Sequence, residues 1–148
     1  MHYIYAEIEI FVDKKETVYV LTRSTIILKD SQHEIPEFSH HSFSQVFDDH
    51  FLLVLLSKTT SQFKVFMFPE FIEIKCDPRT SKSCVKSIAC LTIDSFAVLT
   101  EEGIEFWNYT KGSFIINATI QLSNMKYIKC CSSLLFACDE NNVYLIEN

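Results

Sequence analysis

The sequence contains only two glycines in 148 residues, Gly103 and Gly112. A phosphate-binding loop, a dinucleotide-binding fingerprint and a Gly-x-Ser-x-Gly nucleophile motif all need glycines at closer spacings, so none of these motifs is present. Lysine and arginine never run beyond a pair, and the net charge is −6. A surface that neutralises nucleic-acid phosphates is therefore missing, and no direct contact with nucleic acid is expected.

Long apolar runs and targeting signals are also scarce. The longest wholly apolar run, Phe51–Leu56, is too short to span a bilayer, so no membrane insertion is expected. The first residues, Met1–Glu9, carry acidic side chains where a secretory signal needs an uninterrupted apolar stretch. The six cysteines never form Cys-x-x-Cys, which argues against structural zinc and favours reduced thiols in the core. These features predict a cytoplasmic or nuclear protein without a cofactor.

Helical periodicity is hard to find, whereas strand patterns are abundant. Residues Ala6–Ile10 and Thr17–Val20 alternate between apolar and polar side chains, as half-buried strands do. Residues Phe51–Leu56 and Phe63–Phe68 are apolar on both faces, as strands between packed sheets are. With 48% hydrophobic residues the chain can bury a core, so we predict one ordered, all-β domain.

A β-hairpin pattern returns at multiples of 39 residues. The segment Val98–Trp107 reappears 39 positions later as Ala137–Ile146, and its first nine residues have a counterpart 78 positions earlier in Val20–Leu28. A looser copy joins Leu55–Lys58 to Phe63–Phe66 through a longer turn. A period of roughly 40 residues made of short strands is typical of propeller blades, in which one unit cannot bury its own face.

The repeat divides the chain into four units, at about 2–31, 43–76, 84–117 and 119–148. Each unit has room for three or four antiparallel strands, which is the content of one propeller blade. The segment Glu34–Ser42, which contains Pro36, is expected to be the longest loop. No domain linker interrupts the units.

The third unit resembles a WD40 repeat. Its segment Gly103-Ile104-Glu105-Phe106-Trp107-Asn108 is similar to the Gly-x-Ile-x-x-Trp-Asp ending of that family, with Asn108 in place of the usual aspartate. The chain has no Gly-His dipeptide, so the His–Asp network of the family cannot form. The resemblance implies an all-β, WD40-like β-propeller or partial propeller of about four antiparallel blades. Because the family usually closes rings of about seven or eight blades, the four units form either a small closed ring or an open arc.

The resemblance also implies a function, because WD40-like proteins commonly mediate protein–protein contacts. We therefore predict a scaffold that is not an enzyme and that serves as a subunit of a larger intracellular assembly. Its partners are expected to be other protein subunits, which could complete the propeller, or a second copy joined through the edge strands His2–Glu9 and Val143–Glu147. Repeat proteins often bind through loops on one face. The candidate binding residues lie in the turns between the second and third strands: Arg23, Lys58, Glu101, Glu102, Asp139 and Glu140.

Two other functions remain open at this point. A metal-dependent module or enzyme could use the cluster His40, His41 and His50, since imidazoles bind metals such as zinc. A closed β-barrel could carry a small apolar ligand in a cavity lined by some of the 13 phenylalanines. Trp107 is expected to pack in the core, since burying so large a ring dominates its energetics.

Overall fold

The computed structural model describes residues 9–147, and these residues form short β-strands and no helix. The fifteen strands within this range are β1 (Glu9–Val12), β2 (Val18–Leu21), β3 (Thr25–Ile27), β4 (Gln32–Glu34), β5 (Phe38–Phe43), β6 (Phe51–Ser57), β7 (Phe63–Phe68), β8 (Ile72–Ile74), β9 (Val85–Thr92), β10 (Ser95–Thr100), β11 (Gly103–Thr110), β12 (Ser113–Gln121), β13 (Tyr127–Cys131), β14 (Leu134–Cys138) and β15 (Val143–Ile146). The prediction of an all-β chain is confirmed. No helix that could span a membrane occurs in this range.

The strands form four antiparallel sheets in sequence order. The first sheet is β1-β2-β3-β4, the second β5-β6-β7-β8, the third β9-β10-β11-β12 and the fourth β13-β14-β15. The four hairpins predicted from the repeat correspond to β2–β3, β6–β7, β10–β11 and β14–β15. In the third sheet, for example, Leu99 pairs with Ile104 and Val98 with Glu105. Strand alternation together with the repeat was therefore sufficient to locate the hairpins.

The sheets begin and end at positions that differ from the predicted units. They cover residues 9–34, 38–74, 85–121 and 127–146, and residues 2–8 of the first predicted unit lie outside the described residues. The prediction of a loop at Glu34–Ser42 is wrong, because most of this segment is strand β5, which pairs with β6. Pro36 lies just before that strand, where its missing N–H costs no ladder hydrogen bond.

Side chains close the second-to-third turns, which explains how the chain folds with so few glycines. The last position before each turn accepts backbone N–H groups from inside it. The acceptors are Thr22 (from Thr25, 3.1 Å), Ser57 (from Thr60, 3.4 Å), Thr100 (from Glu102, 3.1 Å) and Asp139 (from Asn142, 2.7 Å). Thr22, Thr100 and Asp139 stand at multiples of 39 residues apart, so the repeat preserves a turn-closing oxygen as well as the strands.

Three hydrophobic clusters fill the three spaces between consecutive sheets. Between the first and second sheets lie Tyr19, Leu21, Ile26, Phe51, Leu53, Leu55, Phe66 and Phe68. Between the second and third lie Leu52, Val54, Leu56, Phe63, Val65, Phe96, Val98, Trp107 and Phe114. Between the third and fourth lie Ala97, Leu99, Ile104, Phe106, Ile128, Leu135 and Ala137. Within residues 9–147 no such cluster joins the fourth sheet to the first, so the sheets form an open arc and not a closed four-sheet ring.

The first strands of the second, third and fourth sheets lie beside one another. Strand β9 lies beside β5 on one side and beside β13 on the other. The backbone N–H of Cys90 donates to the Ser42 hydroxyl (3.0 Å), and the N–H of Ile128 donates to that of Ser87 (3.2 Å). The first strands therefore line the inside of the arc, and the later strands of each sheet extend outward.

Candidate protein-interaction surface

The turns between second and third strands lie together with the sheet connections on one edge of the arc, which we call the rim (residues 22–24, 35–37, 58–62, 75–84, 101–102, 122–126 and 139–142). Backbone hydrogen bonds tie each turn to a neighbouring connection. Ile35 donates to the carbonyl of Ser24 (2.9 Å), Lys58 to Glu37 (2.9 Å), Glu101 to Cys84 (3.3 Å), Leu122 to Glu102 (3.2 Å) and Lys126 to Cys138 (2.7 Å). All six residues proposed from the sequence therefore sit on the rim.

Lys58, Asp139 and Glu140 are held by other residues of the rim. The Lys58 ammonium pairs with Glu37 (Nζ···Oε1 3.4 Å), and the Glu140 carboxylate pairs with Lys126 (Oε1···Nζ 3.0 Å). Asp139 closes its own turn by accepting N–H groups, which holds the pKa of its carboxyl below the usual range. These side chains stabilise the rim. Arg23 lies on the rim too, in the exposed turn between β2 and β3.

Glu101 and Glu102 behave differently from these three. Both are exposed at the tip of the turn between β10 and β11, which Thr100 closes from beneath. Within the described part of the chain, neither carboxylate forms an ion pair or a side-chain hydrogen bond. Two adjacent carboxylates without a cation present a concentrated negative charge that a cationic partner can neutralise.

An open groove of about 900 Å³ starts beside these carboxylates. Its floor and walls include Ile116 and Ile120 of the outer strand β12 and Leu122 of the connection that follows. Ile116 is 45% exposed, a large fraction for an isoleucine side chain. The groove thus places apolar surface directly beside negative charge, a combination suited to a protein segment with both basic and apolar side chains.

A buried ionic network beneath the rim was not predicted from the sequence. The Arg79 guanidinium lies 3.4 Å from the Glu105 carboxylate (Nη2···Oε2), and each side chain is only 7% exposed. The same carboxylate accepts the indole N–H of Trp107 (3.1 Å), while Arg79 also donates to the carbonyl of Ser83 (2.6 Å). This network fixes the connection that precedes the third sheet.

Trp107 packs in the core, as predicted. It is 1% exposed, stacks on Phe96 (ring centroids 5.7 Å apart) and meets Phe63 edge-on (5.4 Å). Because Phe63 belongs to the second sheet, the indole holds the second and third sheets together.

The structure separates the histidines that were considered as a metal site. His40 and His41 are consecutive residues of β5, so their side chains point to opposite faces of the sheet. His41 is hydrogen-bonded to Glu9 (Nε2···Oε2 3.1 Å), while burial lowers the pKa of His40. Adjacent strand residues cannot converge on one metal ion.

His50 is engaged elsewhere. It lies within hydrogen-bond distance of the Asp48 carbonyl (2.9 Å) and of Glu70 (3.1 Å), and the Asp48 contact raises the pKa of its imidazole. No group of three or more His, Cys, Asp and Glu side chains between residues 9 and 147 is placed to hold a metal ion. The hypothesis of a metal site at His40, His41 and His50 is therefore wrong.

The buried cysteines and the core phenylalanines stabilise the fold and do not form a reactive or ligand-binding site. Burial raises the pKa of the Cys76 and Cys90 thiols to about 12, which leaves neither thiol as a thiolate near neutral pH. Most of the phenylalanines pack in the spaces between sheets, as in the stack of Phe51 on Phe68 (5.1 Å). Since four separate sheets replace one closed sheet, the alternative of a ligand-carrying barrel is wrong.

Comparison with known proteins identifies the fold. No protein-family model and no curated protein sequence matches the chain. A chain in the crystal structure of a mitotic checkpoint complex matches with a TM-score of 0.62 and 8% identity, over 94% of this chain and 48% of that one. The β-propeller domain of Cps50 (Swd1) from Myceliophteria thermophila matches with a TM-score of 0.62 and 12% identity, over 96% of this chain and 55% of that one. The chain folds as a partial β-propeller.

The fold predicted from the WD40 resemblance is thereby confirmed. Each of the four sheets is one blade, and the chain spans about half the length of the two structures that it matches. The first strands β5, β9 and β13 are the inner strands of their blades. The rim is the edge at which the turns between second and third strands meet the connections between blades.

Proposed function

We propose that this chain is a non-catalytic scaffold that binds other protein subunits in a larger assembly of the cytoplasm or nucleus. The partial propeller fold supports the proposal, as does the fact that one similar structure is that of a multi-protein complex, the mitotic checkpoint complex. The observation that carries it is the position of Glu101 and Glu102, two adjacent carboxylates that form no ion pair with any of residues 9–147, beside an apolar groove on the rim.

The expected partner segment combines basic and apolar side chains. Lysine or arginine would neutralise the two carboxylates, while an aliphatic or aromatic side chain would cover Ile116 and Ile120. Since Glu101 and Glu102 are solvent-exposed, their contribution should appear mainly in the rate of association and in its salt dependence. Because salt screens charges but not apolar contacts, high salt should weaken binding of such a segment without abolishing it.

A second part of the proposal concerns the open arc. Protein subunits would complete the propeller by covering the blades at its two ends, as the sequence also suggested. This part accounts for an open arc in a fold whose blades normally have neighbours on both sides.

The test is affinity purification of the tagged chain from its native cells, with quantitative mass spectrometry of the proteins that co-purify. The variant Glu101→Lys/Glu102→Lys should reduce at least one stoichiometric partner about tenfold, because two attractive contacts become repulsive. The matched control is Glu16→Lys/Asp30→Lys, which makes the same charge change at exposed turns away from the rim. Equal recovery of every partner with both variants, or recovery of the chain alone, would contradict the proposal.

A further inference from the structure

The outer face of the first blade is largely apolar, and none of residues 9–147 packs over it as a further blade. The strand register places Ile10, Val20 and Ile27 in one row and Val12 beside Val18 in the next. These five residues lie opposite the face that packs on the second blade through Tyr19, Leu21 and Ile26. Ile10, Val12, Val18 and Ile27 are 36% to 64% exposed. Rows of aliphatic side chains normally face a hydrophobic core. On this face they are open to water, as on a sheet whose neighbouring sheet has been removed.

The outer face of the fourth blade is similar. Its register aligns Tyr127, Cys138 and Val143 in one row, Lys129, Phe136 and Leu145 in the next, and Cys131 with Leu134 in a third. The opposite face packs on the third blade through Ile128, Leu135 and Ala137. Tyr127, Leu134, Val143 and Leu145 are 48% to 67% exposed. Both ends of the arc therefore present sheet faces of the kind that the interior blades bury.

The two middle blades show how far residues are buried when both faces of a sheet are covered. Every residue of β6 and of β10 is buried, because each strand has a blade on both sides. In the equivalent strands of the end blades, the outward residues Val18 and Val20 of β2 and Leu134 and Phe136 of β14 are not buried. Within the described part of the chain, each end face therefore lacks the neighbouring blade that the middle blades have on both sides.

We propose that a second copy of this chain covers both faces at once. The outer face of blade one in each copy packs on the outer face of blade four in the other copy. The two contacts together close a ring of eight blades, four from each copy. This inference rests on the part of the proposed function in which protein subunits complete the propeller. A second copy fits because the chain spans 48% and 55% of the similar structures, so that two arcs of this size make about one full ring.

The buried area is sufficient for a stable dimer. Strands spaced about 4.8 Å apart and about 15 Å long give each end face a projected area of roughly 250 Å². Two contacts, each burying two such faces, remove on the order of 1,000 Å² in projection and more in accessible surface, which reaches the range of specific interfaces. Two-fold symmetry makes the two contacts identical, so the assembly ends at two copies and does not grow into a filament.

Charge does not oppose this contact. The outward positions of β1, β2 and β3 carry no charged side chain, those of β4 carry Gln32 and the acidic Glu34, and those of the fourth blade carry only Lys129. A lysine can lay its methylene stem along an apolar surface while its ammonium group reaches solvent. The two faces therefore bring one acidic and one basic side chain to the contact, Glu34 on blade one and Lys129 on blade four, and these charges have opposite sign.

The experiment begins with the oligomeric state of the purified chain, by native mass spectrometry and sedimentation equilibrium. A particle of twice the mass of one chain is expected, and a monomer throughout the accessible concentration range would overturn the inference. Val18→Glu and Leu134→Lys should each weaken dimerisation roughly 100-fold, because symmetry places the new charge in both contacts. Ile72→Glu is the matched control, since Ile72 is exposed on β8, away from both end faces.

Mixing the two variants tests the pairing of the faces. A heterodimer of Val18→Glu with Leu134→Lys has one contact without substitution and one in which opposite charges meet, so mixing should restore the dimer. A dimer that only one variant disrupts, or that mixing does not restore, would overturn the packing of blade one on blade four. If the chain is monomeric but still recovers stoichiometric partners from cells, the second copy is excluded and the scaffold function stands. If it is a dimer that recovers no partner, the scaffold function fails and the ring stands.

Discussion

Trp107 donates its indole N–H to Glu105, two residues earlier on the same strand, at 3.1 Å. The second oxygen of that carboxylate faces the Arg79 guanidinium at 3.4 Å. One buried carboxylate thus joins the aromatic core between two blades to the connection that leads into the third blade. This connection is part of the rim, so the position of the candidate interaction surface depends on the network.

Replacing Glu105 should destabilise the protein strongly. Glu105→Ala leaves the buried guanidinium without its counter-ion and the indole N–H without its acceptor, so we expect a loss of about 3 kcal/mol in the free energy of unfolding. Chemical denaturation followed by Trp107 fluorescence measures it.

A double-mutant cycle isolates the ion pair. Arg79→Met removes the charge but retains much of the side-chain volume, so Arg79→Met/Glu105→Ala should be more stable than the sum of the two single losses predicts. Strict additivity of the two losses would show that the 3.4 Å contact contributes nothing.

Gly103 should not tolerate a side chain. It has φ of +153°, and an added Cβ would overlap the backbone carbonyl oxygen of Ile120 on the paired strand β12. We expect Gly103→Ala to cost about 3 kcal/mol, because neighbouring backbone must move. Gly112→Ala is the comparison: it has φ of +91° but open space around the Cβ position, so it should cost about 1 kcal/mol. Thermal unfolding of the two variants decides the order, and equal losses would refute the steric argument.

Asp139 should make stability depend on pH in the acid range. The N–H groups of Asn141 and Asn142 lower the pKa of its carboxyl in the folded protein. A lowered folded-state pKa adds stability at pH values above the ordinary aspartate pKa, and this stability is lost as the pH falls through the folded-state pKa. Asp139→Asn should therefore be less stable than the unsubstituted protein near neutral pH, and the difference should shrink on acidification.

Denaturation curves between neutral and strongly acid pH measure this difference. Asp30→Asn, at an exposed turn, is the control and should follow the unsubstituted protein. A stability difference for Asp139→Asn that stays constant with pH would contradict the assignment.

The thiols should react with alkylating reagents in an order set by burial. Cys84 and Cys131 are exposed, whereas Cys90 is buried and has a pKa raised to about 12. We expect Cys84 to be labelled rapidly and Cys90 only after unfolding. Intact-protein and peptide mass spectrometry of a labelling time course would record the order, and early labelling of Cys90 would be inconsistent with the packing of β9.

The hairpins were predictable because two signals coincide there. Alternating or continuous apolar residues mark each strand, and the spacing of 39 aligns Thr100 with Asp139 at the residue that closes the turn. The core position of Trp107 was also predictable, since an indole in a strand gains most by burial. The position of the candidate binding turns followed from the repeat alone.

Other features depend on contacts that no periodic pattern records. Strand β5 was expected to be a loop, because Ser39, His40 and His41 are polar and follow Pro36, yet β5 lies beside the inner strand β9. The same strand also rules out the metal site that was expected to use His40 and His41, because consecutive side chains of a strand point to opposite faces of the sheet. Arg79 and Glu105 are separated by 26 residues and meet only because a connection folds back over the blade.

The two middle blades of the arc are covered on both sides, whereas each end blade is covered on one side. Local stability should therefore differ along the length of the arc. Amide hydrogens of β6 and β10 should exchange most slowly with solvent deuterium, while those of β1 to β4 and β13 to β15 should exchange through partial openings. Heating should then release the ends before the centre, so the unfolding transition of the isolated chain should be broader than a two-state process of its size allows.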